Sequence, residues 1–263
     1  MIKKIFKVTL FIIARRLTFF IKNILKKKVY KSSDEVKKYS DLIENNGVVI
    51  IENYLDKKSC ESIINVIESY YSKNKELIWH DKFNSEYRLH GAEKIDEEIN
   101  NFFSNNLLIN IGSFCAKIPL SNLMTMANKV KYNLNNLGSG GGWHRDDYNF
   151  QFKAILYLND VTSDNGPFQF IKNSNKLFNI VKDTVLASLD IKSTRIDSEK
   201  VDLLSSKRLK TIIGRAGTLI LVDTSLIHRG KPLINGKRYA ITNYYYPHYK
   251  IDSMQNHFLP KIK

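Results

Sequence analysis

Near its middle the chain reads Gly138-Ser139-Gly140-Gly141-Gly142-Trp143-His144-Arg145-Asp146-Asp147, and these ten residues are the most informative part of the sequence. In an extended segment, side chains two residues apart point to the same side, so His144 and Asp146 can bind one metal ion. The glycines before them allow the backbone to pass close to such a site, because glycine has no Cβ atom to clash. The stretch therefore predicts two ligands of a metal site, and a third must come from a distant part of the chain.

His228 is our candidate for the third ligand, because it follows the apolar run 218–222, which has the composition of a buried strand. Two imidazoles and one carboxylate are a common ligand set of non-haem Fe(II), and they leave positions of the ion open. We therefore predict that His144, Asp146 and His228 bind Fe(II) and form the catalytic centre. The open positions suit a bidentate keto acid together with O2.

Arg238 lies ten residues after His228 and directly follows the predicted turn 235–237. A guanidinium can hold a carboxylate through two parallel hydrogen bonds. We expect Arg238 to bind the far carboxylate of 2-oxoglutarate, which makes 2-oxoglutarate and O2 the predicted cosubstrates. Arg229 and Lys237 fit exposed positions better, because each lies beside a glycine in a turn.

Short runs rich in β-branched and aromatic residues, separated by Gly, Asn and Asp, follow one another from about residue 120. We predict strands at Val130–Leu134, Phe150–Leu158, Pro167–Ile171, Thr211–Ile213, Thr218–Val222 and Tyr239–Tyr246. Earlier in the chain we predict a strand at Gly47–Glu52, a helix capped by Asp56, and helices at Ile95–Phe103 and Asn105–Phe114. The fold class is therefore mainly β with flanking helices (α+β), as a sandwich or barrel. The polar segment 172–210 interrupts the strands and is expected to be a lid or insertion over the site.

Further motifs follow the glycine-rich stretch in a fixed order: Asn165-Gly166-Pro167-Phe168, Gly217-Thr218-Leu219-Ile220-Leu221-Val222-Asp223, Ile227-His228-Arg229-Gly230-Lys231-Pro232 and the strand that Arg238 opens. With them the chain resembles the phytanoyl-CoA dioxygenase-like family of Fe(II)/2-oxoglutarate oxygenases, from about Gly47 to Pro247. The resemblance implies a double-stranded β-helix, a cupin-like jelly-roll barrel with the metal at its mouth. It also implies the iron ligands and the cosubstrate arginine that the residues themselves suggest. Related halogenases keep a small residue where this chain has Asp146, so the resemblance implies hydroxylation and not chlorination.

The chain departs from the family in one respect. Relatives often have a serine near the arginine or just after the distal histidine, and here these positions are Ala240 and Gly230. The second contact to 2-oxoglutarate must then come from another side chain. Asn133 and Lys153, on the strands before and after the metal-binding stretch, are the candidates.

The first 31 residues differ from the rest of the chain. They hold ten Lys or Arg and no acid, with apolar residues at helical spacing at Ile2, Phe6, Leu10, Ile13, Leu17, Phe20, Ile21 and Ile24. No uncharged run approaches the roughly 20 residues of a membrane span. We therefore divide the chain into a basic amphipathic helix, 1–31, and a catalytic domain, 32–263. The helix is expected to bind an anionic membrane surface through residues 1–29, or to dock on its own domain or a partner subunit.

Composition limits the remaining possibilities. The net charge is +15, and ten of these positive charges lie in residues 1–31, so the rest of the chain has a net charge of only about +5. A nucleic-acid-binding domain would need a basic surface of its own, so no nucleic-acid partner is expected. Cys60 and Cys115 have apolar neighbours and are expected to be buried thiols, which fits a reducing cytoplasm. The predicted location is cytoplasmic, with peripheral attachment to the inner face of the membrane.

The predicted activity is hydroxylation of a small-molecule, lipid or glycan-precursor substrate, the last two being suggested by the basic helix. Two alternatives stay open. One is a cupin-type metal-dependent isomerase or hydrolase that uses the same three ligands without a keto acid. The other is a membrane-associated binding protein whose metal site is idle.

Overall fold

A computed structural model describes residues 2–24, 33–205 and 207–258. Its helices are α1 (Ile2–Ile24), α2 (Asp34–Asn46), α3 (Lys57–Lys73), α4 (Glu97–Phe103), α5 (Asn106–Ala116), α6 (Leu177–Leu186), α7 (Ser198–Ser205) and α8 (Ile251–Phe258). Its strands are β1 (Val48–Ile51), β2 (Trp79–His80), β3 (Glu86–His90), β4 (Leu120–Lys131), β5 (Phe152–Tyr157), β6 (Phe168–Ile171), β7 (Leu209–Ile212), β8 (Leu219–Asp223), β9 (His228–Gly230) and β10 (Lys237–Pro247). The end of the predicted basic segment, residues 25–31, lies outside the described residues.

The strands form two antiparallel sheets. The larger has seven strands in the order β1-β8-β5-β10-β4-β3-β2, and the smaller has the order β7-β6-β9. The two sheets face each other across a shared core, in which Phe168 and Ile212 of the small sheet meet Tyr157 and Ile220 of the large one. The hydroxyl of Tyr157 donates to the carbonyl of Ile212 and accepts from the amide of Phe168. The predicted jelly-roll with flanking helices is thereby confirmed.

Alternation along the large sheet sorts its side chains into two environments, because successive residues of a strand point to opposite faces. On β5, Phe152, Ala154 and Leu156 belong to the core under helices α2–α5. The intervening Lys153 and Ile155 face the space between the sheets. The same alternation on β10 buries its odd-numbered residues from Tyr239 to Tyr245, and points its even-numbered residues from Arg238 to Tyr244 into the space between the sheets.

The predicted strand Val130–Leu134 is wrong in its placement. β4 runs from Leu120 to Lys131, and the chain leaves the sheet before Asn133. β4 contains two Asn, two Lys and one Ala, which are depleted in strands, and its pairing with both β3 and β10 outweighs that propensity. The other predicted strands agree with observed ones to within a few residues.

The cysteines carry no disulfide. Cys60 is fully buried and Cys115 is half-buried, and both are free thiols. Each lies on a helix that packs on the large sheet, so the prediction of buried thiols is confirmed for Cys60 and is only partly right for Cys115.

Helix α1 packs against later parts of the chain. Val8 and Ile12 are buried with Tyr148 and Ile180. Arg15 forms an ion pair of 2.9 Å with Asp147. Within the described residues, no helix combines the length and the apolar composition needed to cross a bilayer.

The packing of α1 uses a different face from the one that the sequence pattern marks. The exposed large apolar side chains of the helix are Ile2, Ile5, Phe6, Leu10, Ile13, Leu17, Phe20 and Ile21, which we call the outer stripe. Apart from Ile5, which lies at the edge of the buried face, the outer stripe points away from the buried Val8 and Ile12 at 100° per residue. α1 therefore has two apolar faces, of which the domain covers one.

Candidate metal centre and active site

A cavity of about 490 Å³ lies between the two sheets. Its walls come from the inward-facing residues of β3, β4, β5 and β10, from the glycine-rich loop, and from Thr194 and Arg195 of the segment between α6 and α7. His144, Asp146 and His228 all line it, as do Lys153 and Arg238. The structure thus brings five of the six predicted site residues into one space.

The three predicted metal ligands converge. One ligand atom from each of His144, Asp146 and His228 lies within 4.8 Å of the others. The two imidazole rings are 4.3 Å apart between centroids. Backbone hydrogen bonds fix this approach, since the amide of His144 donates to the carbonyl of His228 at 2.9 Å and the reverse bond measures 2.8 Å. The glycine-rich loop is therefore aligned to β9 as an additional short strand pair.

Hydrogen bonding also selects the tautomer of each histidine. Nδ1 of His144 lies 2.9 Å from the carbonyl oxygen of Gly142, and Nδ1 of His228 lies 2.9 Å from that of Leu226. A carbonyl oxygen can only accept, so each Nδ1 carries the proton and donates. The lone pair of each Nε2 is then left for a metal, which is the arrangement that outer hydrogen bonds impose on histidine ligands. The residues present therefore fit a divalent transition metal.

The charges at the centre favour the ligand forms of these groups. Burial lowers the pKa of His144 to about 3, with a further contribution from His228, and burial also lowers the pKa of His228. Burial alone would raise the pKa of Asp146, but the positive charge of Lys153 and its hydrogen bond to the carboxylate outweigh burial and hold that pKa well below its usual range. Two neutral imidazoles and one carboxylate follow.

Lys153 lies directly beside the metal ligands. Its Nζ is 2.6 Å from Oδ2 of Asp146 and 4.2 Å from the centroid of the Tyr244 ring. Oδ1 of Asp146 is the oxygen that faces His144, at 3.7 Å from Nε2. Lys153 therefore orients the carboxylate, and its burial leaves the ammonium on the cavity wall.

Arg238 begins β10 at the far wall of the cavity and is 5% exposed. It donates to the carbonyl of Gly166 and, at 3.2 Å, to Oδ1 of Asn128. Its Nε has no hydrogen-bond partner among the described residues. A buried guanidinium with donor capacity to spare, facing a cavity, is suited to a carboxylate ligand.

Asn133 lies elsewhere. Its side chain donates to the carbonyl of Phe83 and accepts from the amide of Asn135, and it does not line the cavity. The prediction of a cosubstrate contact at Asn133 rested on the misplaced strand. On β4 the asparagine that faces the cavity and contacts Arg238 is Asn128.

Two arginines near the metal ligands were not predicted. Arg145, between the two ligands of the loop, is 2% exposed and donates to the carbonyls of Ser174 and Ser225. Arg195 donates to the carbonyls of Gly140 and Gly141. Both hold the glycine-rich loop in place through backbone oxygens, which no residue pattern in a single sequence reveals.

Gly140 is the glycine that the metal centre needs. It has φ +85°, and a Cβ at this position would lie 2.6 Å from Cε1 of His144. Gly141 also has positive φ, +67°, but a Cβ there would meet only Arg195 at 3.5 Å. The two positions share the backbone strain of a left-handed residue and differ in the contact with the ligand.

We expect Gly140→Ala to weaken Fe(II) binding by roughly 10- to 100-fold, the effect typical of disturbing the orientation of a histidine ligand. Gly141→Ala is the matched control and should lose a similar amount of thermal stability with little change in Fe(II) affinity. Titration of both variants with Fe(II) under anaerobic conditions checks this. Equal affinities would show that the missing Cβ at Gly140 has no bearing on the metal.

A histidine, carboxylate and histidine centre with a buried arginine in the same cavity, set between the sheets of a jelly roll, defines a non-haem iron oxygenase of the 2-oxoglutarate-dependent class. Residues 43–239 match the sequence profile described as Phytanoyl-CoA dioxygenase (PhyH). The chain belongs to this family, and the resemblance that its motifs indicated is confirmed.

Solved structures share the fold at low sequence identity. EctD from S. alaskensis with bound Fe has a TM-score of 0.62 at 14% identity, over 84% of this chain and 80% of that one. SnoK, a non-haem alpha-ketoglutarate-dependent carbocyclase from nogalamycin biosynthesis, has a TM-score of 0.58 at 15% identity, over 82% of this chain and 84% of that one. HygX from Streptomyces hygroscopicus with nickel, 2-oxoglutarate and hygromycin B bound has a TM-score of 0.52 at 16% identity, over 83% of this chain and 88% of that one. No curated protein matches the chain in sequence.

Proposed function

We propose that this Fe(II)- and 2-oxoglutarate-dependent oxygenase hydroxylates a small-molecule substrate that lies between Arg88, Arg195 and the metal ligands. The observation that carries the proposal is the convergence of His144, Asp146 and His228 in the cavity that Arg238 also lines. HygX, with the same fold, holds the small molecule hygromycin B. Fe(II) with 2-oxoglutarate, when bound, supplies the oxidising power for O2-dependent attack on a C–H bond.

The roles of the side chains follow from their positions. His144, His228 and Oδ1 of Asp146 would hold the metal on one side and leave its cavity side open. Lys153 would keep Asp146 in its orientation through Oδ2. Arg238 would fix the far carboxylate of 2-oxoglutarate and so determine which way the cosubstrate lies across the cavity. Lys153 as a direct second contact to 2-oxoglutarate is the alternative role for this residue.

The segment 172–210 would act as a lid. Its residues Thr194 and Ile196 pair through backbone hydrogen bonds with Arg145 and Trp143 of the metal-binding loop, at 2.9 and 3.0 Å. Arg195 lies between them and lines the cavity. A lid at this place would exclude water from the metal once the substrate is bound.

Anaerobic addition of Fe(II) and 2-oxoglutarate to the protein tests the oxygenase class. We expect a visible absorption band that needs both components, and succinate formation once O2 is admitted. An isomerase or hydrolase that uses the same ligands would bind Fe(II) without this band. A binding protein with an idle site would give neither the band nor succinate, and either result would contradict the proposal.

The outer stripe of α1 supports a proposal about location. It exposes apolar side chains along the length of a helix from a segment with ten Lys or Arg and no acid. A cationic amphipathic helix of this type binds anionic membrane surfaces. A second copy of the same helix is a poor alternative partner, because pairing would bring two strongly positive segments together. We therefore place the enzyme on the inner face of an anionic membrane.

Vesicle sedimentation tests the membrane proposal. Leu10 and Leu17 are 58% and 52% exposed, so Leu10→Glu with Leu17→Glu should keep the fold. It should lower binding to phosphatidylglycerol-containing vesicles about tenfold or more, since burial of each leucine contributes about 1.5–3 kcal/mol. Leu134→Glu with Ile234→Glu, at exposed positions outside α1, is the matched control. Binding that neither the α1 pair nor added salt reduces would contradict the proposal.

A further inference from the structure

A second cavity of about 440 Å³ lies next to the active site. Helix α1 supplies one wall, and the ends of α2 and α5 and the start of α6 supply the others. Its apolar lining is Phe19, Phe20, Ile43, Phe150 and Leu177. We call this space the α1 groove. Its charged lining, Arg16, Glu44, Lys117, Lys176 and Asp223, contains both signs and gives no strong preference for the charge of a ligand.

The α1 groove shares lining residues with two other features. Phe20 belongs both to the outer stripe, where it is 56% exposed, and to the groove lining. Phe19, Asn149 and Phe150 line both the groove and the active-site cavity. The groove therefore lies between the exposed face of α1 and the metal cavity, and it shares a wall that contains Phe19 and Phe150 with that cavity.

The two cavities differ in chemistry. The metal cavity is rich in polar groups beyond those that hold the metal and 2-oxoglutarate, among them Arg88, Arg195 and Gln151. The apolar side chains of the groove instead suit a hydrocarbon chain, whose burial in such a space is favourable. A ligand that fills both must have a polar and an apolar part.

We propose that the α1 groove binds the hydrocarbon chain of an amphiphilic substrate, whose polar head group enters the metal cavity past Phe19. The proposal rests on the proposed function, because it assigns a substrate class to the same site. It also explains why the outer stripe adjoins the groove at Phe20. A substrate that leaves the membrane beside Phe20 would enter the groove without crossing water.

Cys115 is a built-in reporter for this groove. It lines the groove and is half-buried, whereas the only other cysteine of the chain, Cys60, is fully buried. Burial raises the pKa of Cys115 to about 11, so its modification by methyl methanethiosulfonate is compared at one fixed alkaline pH. Mass spectrometry of the intact protein and its peptides follows the rate at Cys115.

The test uses octyl glucoside below its critical micelle concentration, with methyl glucoside as the probe that lacks the chain. Octyl glucoside should slow modification of Cys115 by about tenfold or more, and methyl glucoside at the same concentration should not, since each buried CH₂ group adds to affinity. Equal protection by both glucosides, or none by either, would overturn the proposal.

Two single variants separate the groove from the membrane surface. Phe20→Glu places a charge at the lip of the groove and should abolish protection by octyl glucoside. Leu10→Glu lies on the outer stripe away from the groove lining and should keep that protection while weakening vesicle binding. Both side chains are exposed, so both variants should fold, and their thermal unfolding is compared with wild type. Wild-type protection in Phe20→Glu would refute the chain-binding site.

The outcome is independent of the oxygenase assignment. Protection of Cys115 requires neither metal nor 2-oxoglutarate, so it is measured without them. If wild type shows no Fe(II)–2-oxoglutarate absorption band, the proposed function is overturned, but the measured protection of Cys115 by octyl glucoside still supports the chain-binding groove. A normal band with no chain-dependent protection would overturn only the groove.

Discussion

His144→Ala should abolish 2-oxoglutarate turnover and lower Fe(II) affinity by more than the roughly 10- to 100-fold that loss of an outer partner of a ligand costs. His144 supplies one of three ligand atoms that lie within 4.8 Å of one another, and its Nε2 has the lone pair free for the metal. Apart from His228, which is itself one of the three, no histidine of the described residues lies in the cluster and could replace it. Fe(II) titration and succinate formation measure the two effects separately.

His80→Ala is the control for His144→Ala, because His80 is exposed on β2 and lies outside the cavity lining. It should bind Fe(II) and turn over 2-oxoglutarate as wild type does. Both variants are assayed at Fe(II) concentrations below saturation. Turnover of 2-oxoglutarate by His144→Ala at the rate of His80→Ala would refute the assignment of His144 as a metal ligand.

Arg238→Met should raise the KM for 2-oxoglutarate and leave Fe(II) affinity within a few-fold of wild type. Removing one partner of a buried, charge-assisted hydrogen-bonded pair costs about 2–5 kcal/mol, which corresponds to a KM increase of roughly 30-fold to several thousand-fold. The side chain is 5% exposed, so water cannot substitute well for the lost donor. Steady-state kinetics over a range of 2-oxoglutarate concentrations gives the split between KM and kcat.

Two further variants sharpen the Arg238 prediction. Arg238→Lys keeps the charge but loses the planar pair of donors, so its KM should lie between those of wild type and Arg238→Met. Arg229→Met removes a guanidinium that lies over Trp143 at 4.4 Å and outside the cavity lining, and its KM should stay near wild type. A similar rise in KM for Arg229→Met would point to general damage at the loop and not to a carboxylate contact.

The convergence of the three candidate metal ligands could be predicted from the sequence because their signal is local and chemical. His144 and Asp146 are two residues apart on an extended segment, and His228 follows a strand whose apolar run is unbroken. The backbone pairing of His144 with His228 then needs only the usual antiparallel geometry. Arg238 was predictable from its spacing of ten residues after His228 and from its place directly after the turn 235–237.

Other parts of the site depend on contacts between distant segments. β4 has weak β propensity and owes its length to pairing on both sides, so Asn128 was missed and Asn133 was proposed in its place. Arg145 and Arg195 donate hydrogen bonds to backbone carbonyl oxygens. Every residue has such an oxygen, so the sequence contains no partner residue type that would predict these contacts. The periodicity of α1 marked its outer stripe, but the face that packs on the domain is set by Tyr148 and Ile180, far along the chain.

Helix α1 lies outside the barrel but contacts the metal cavity and the loop that contains Asp146. Phe19 is part of the wall of the metal cavity, and Arg15 contacts Asp147, the neighbour of the ligand Asp146. The same 23-residue helix presents the outer stripe to its surroundings. If α1 attaches the enzyme to a membrane as proposed, a substitution on this helix changes attachment and turnover together, and natural selection on location and on rate then acts on one inherited segment.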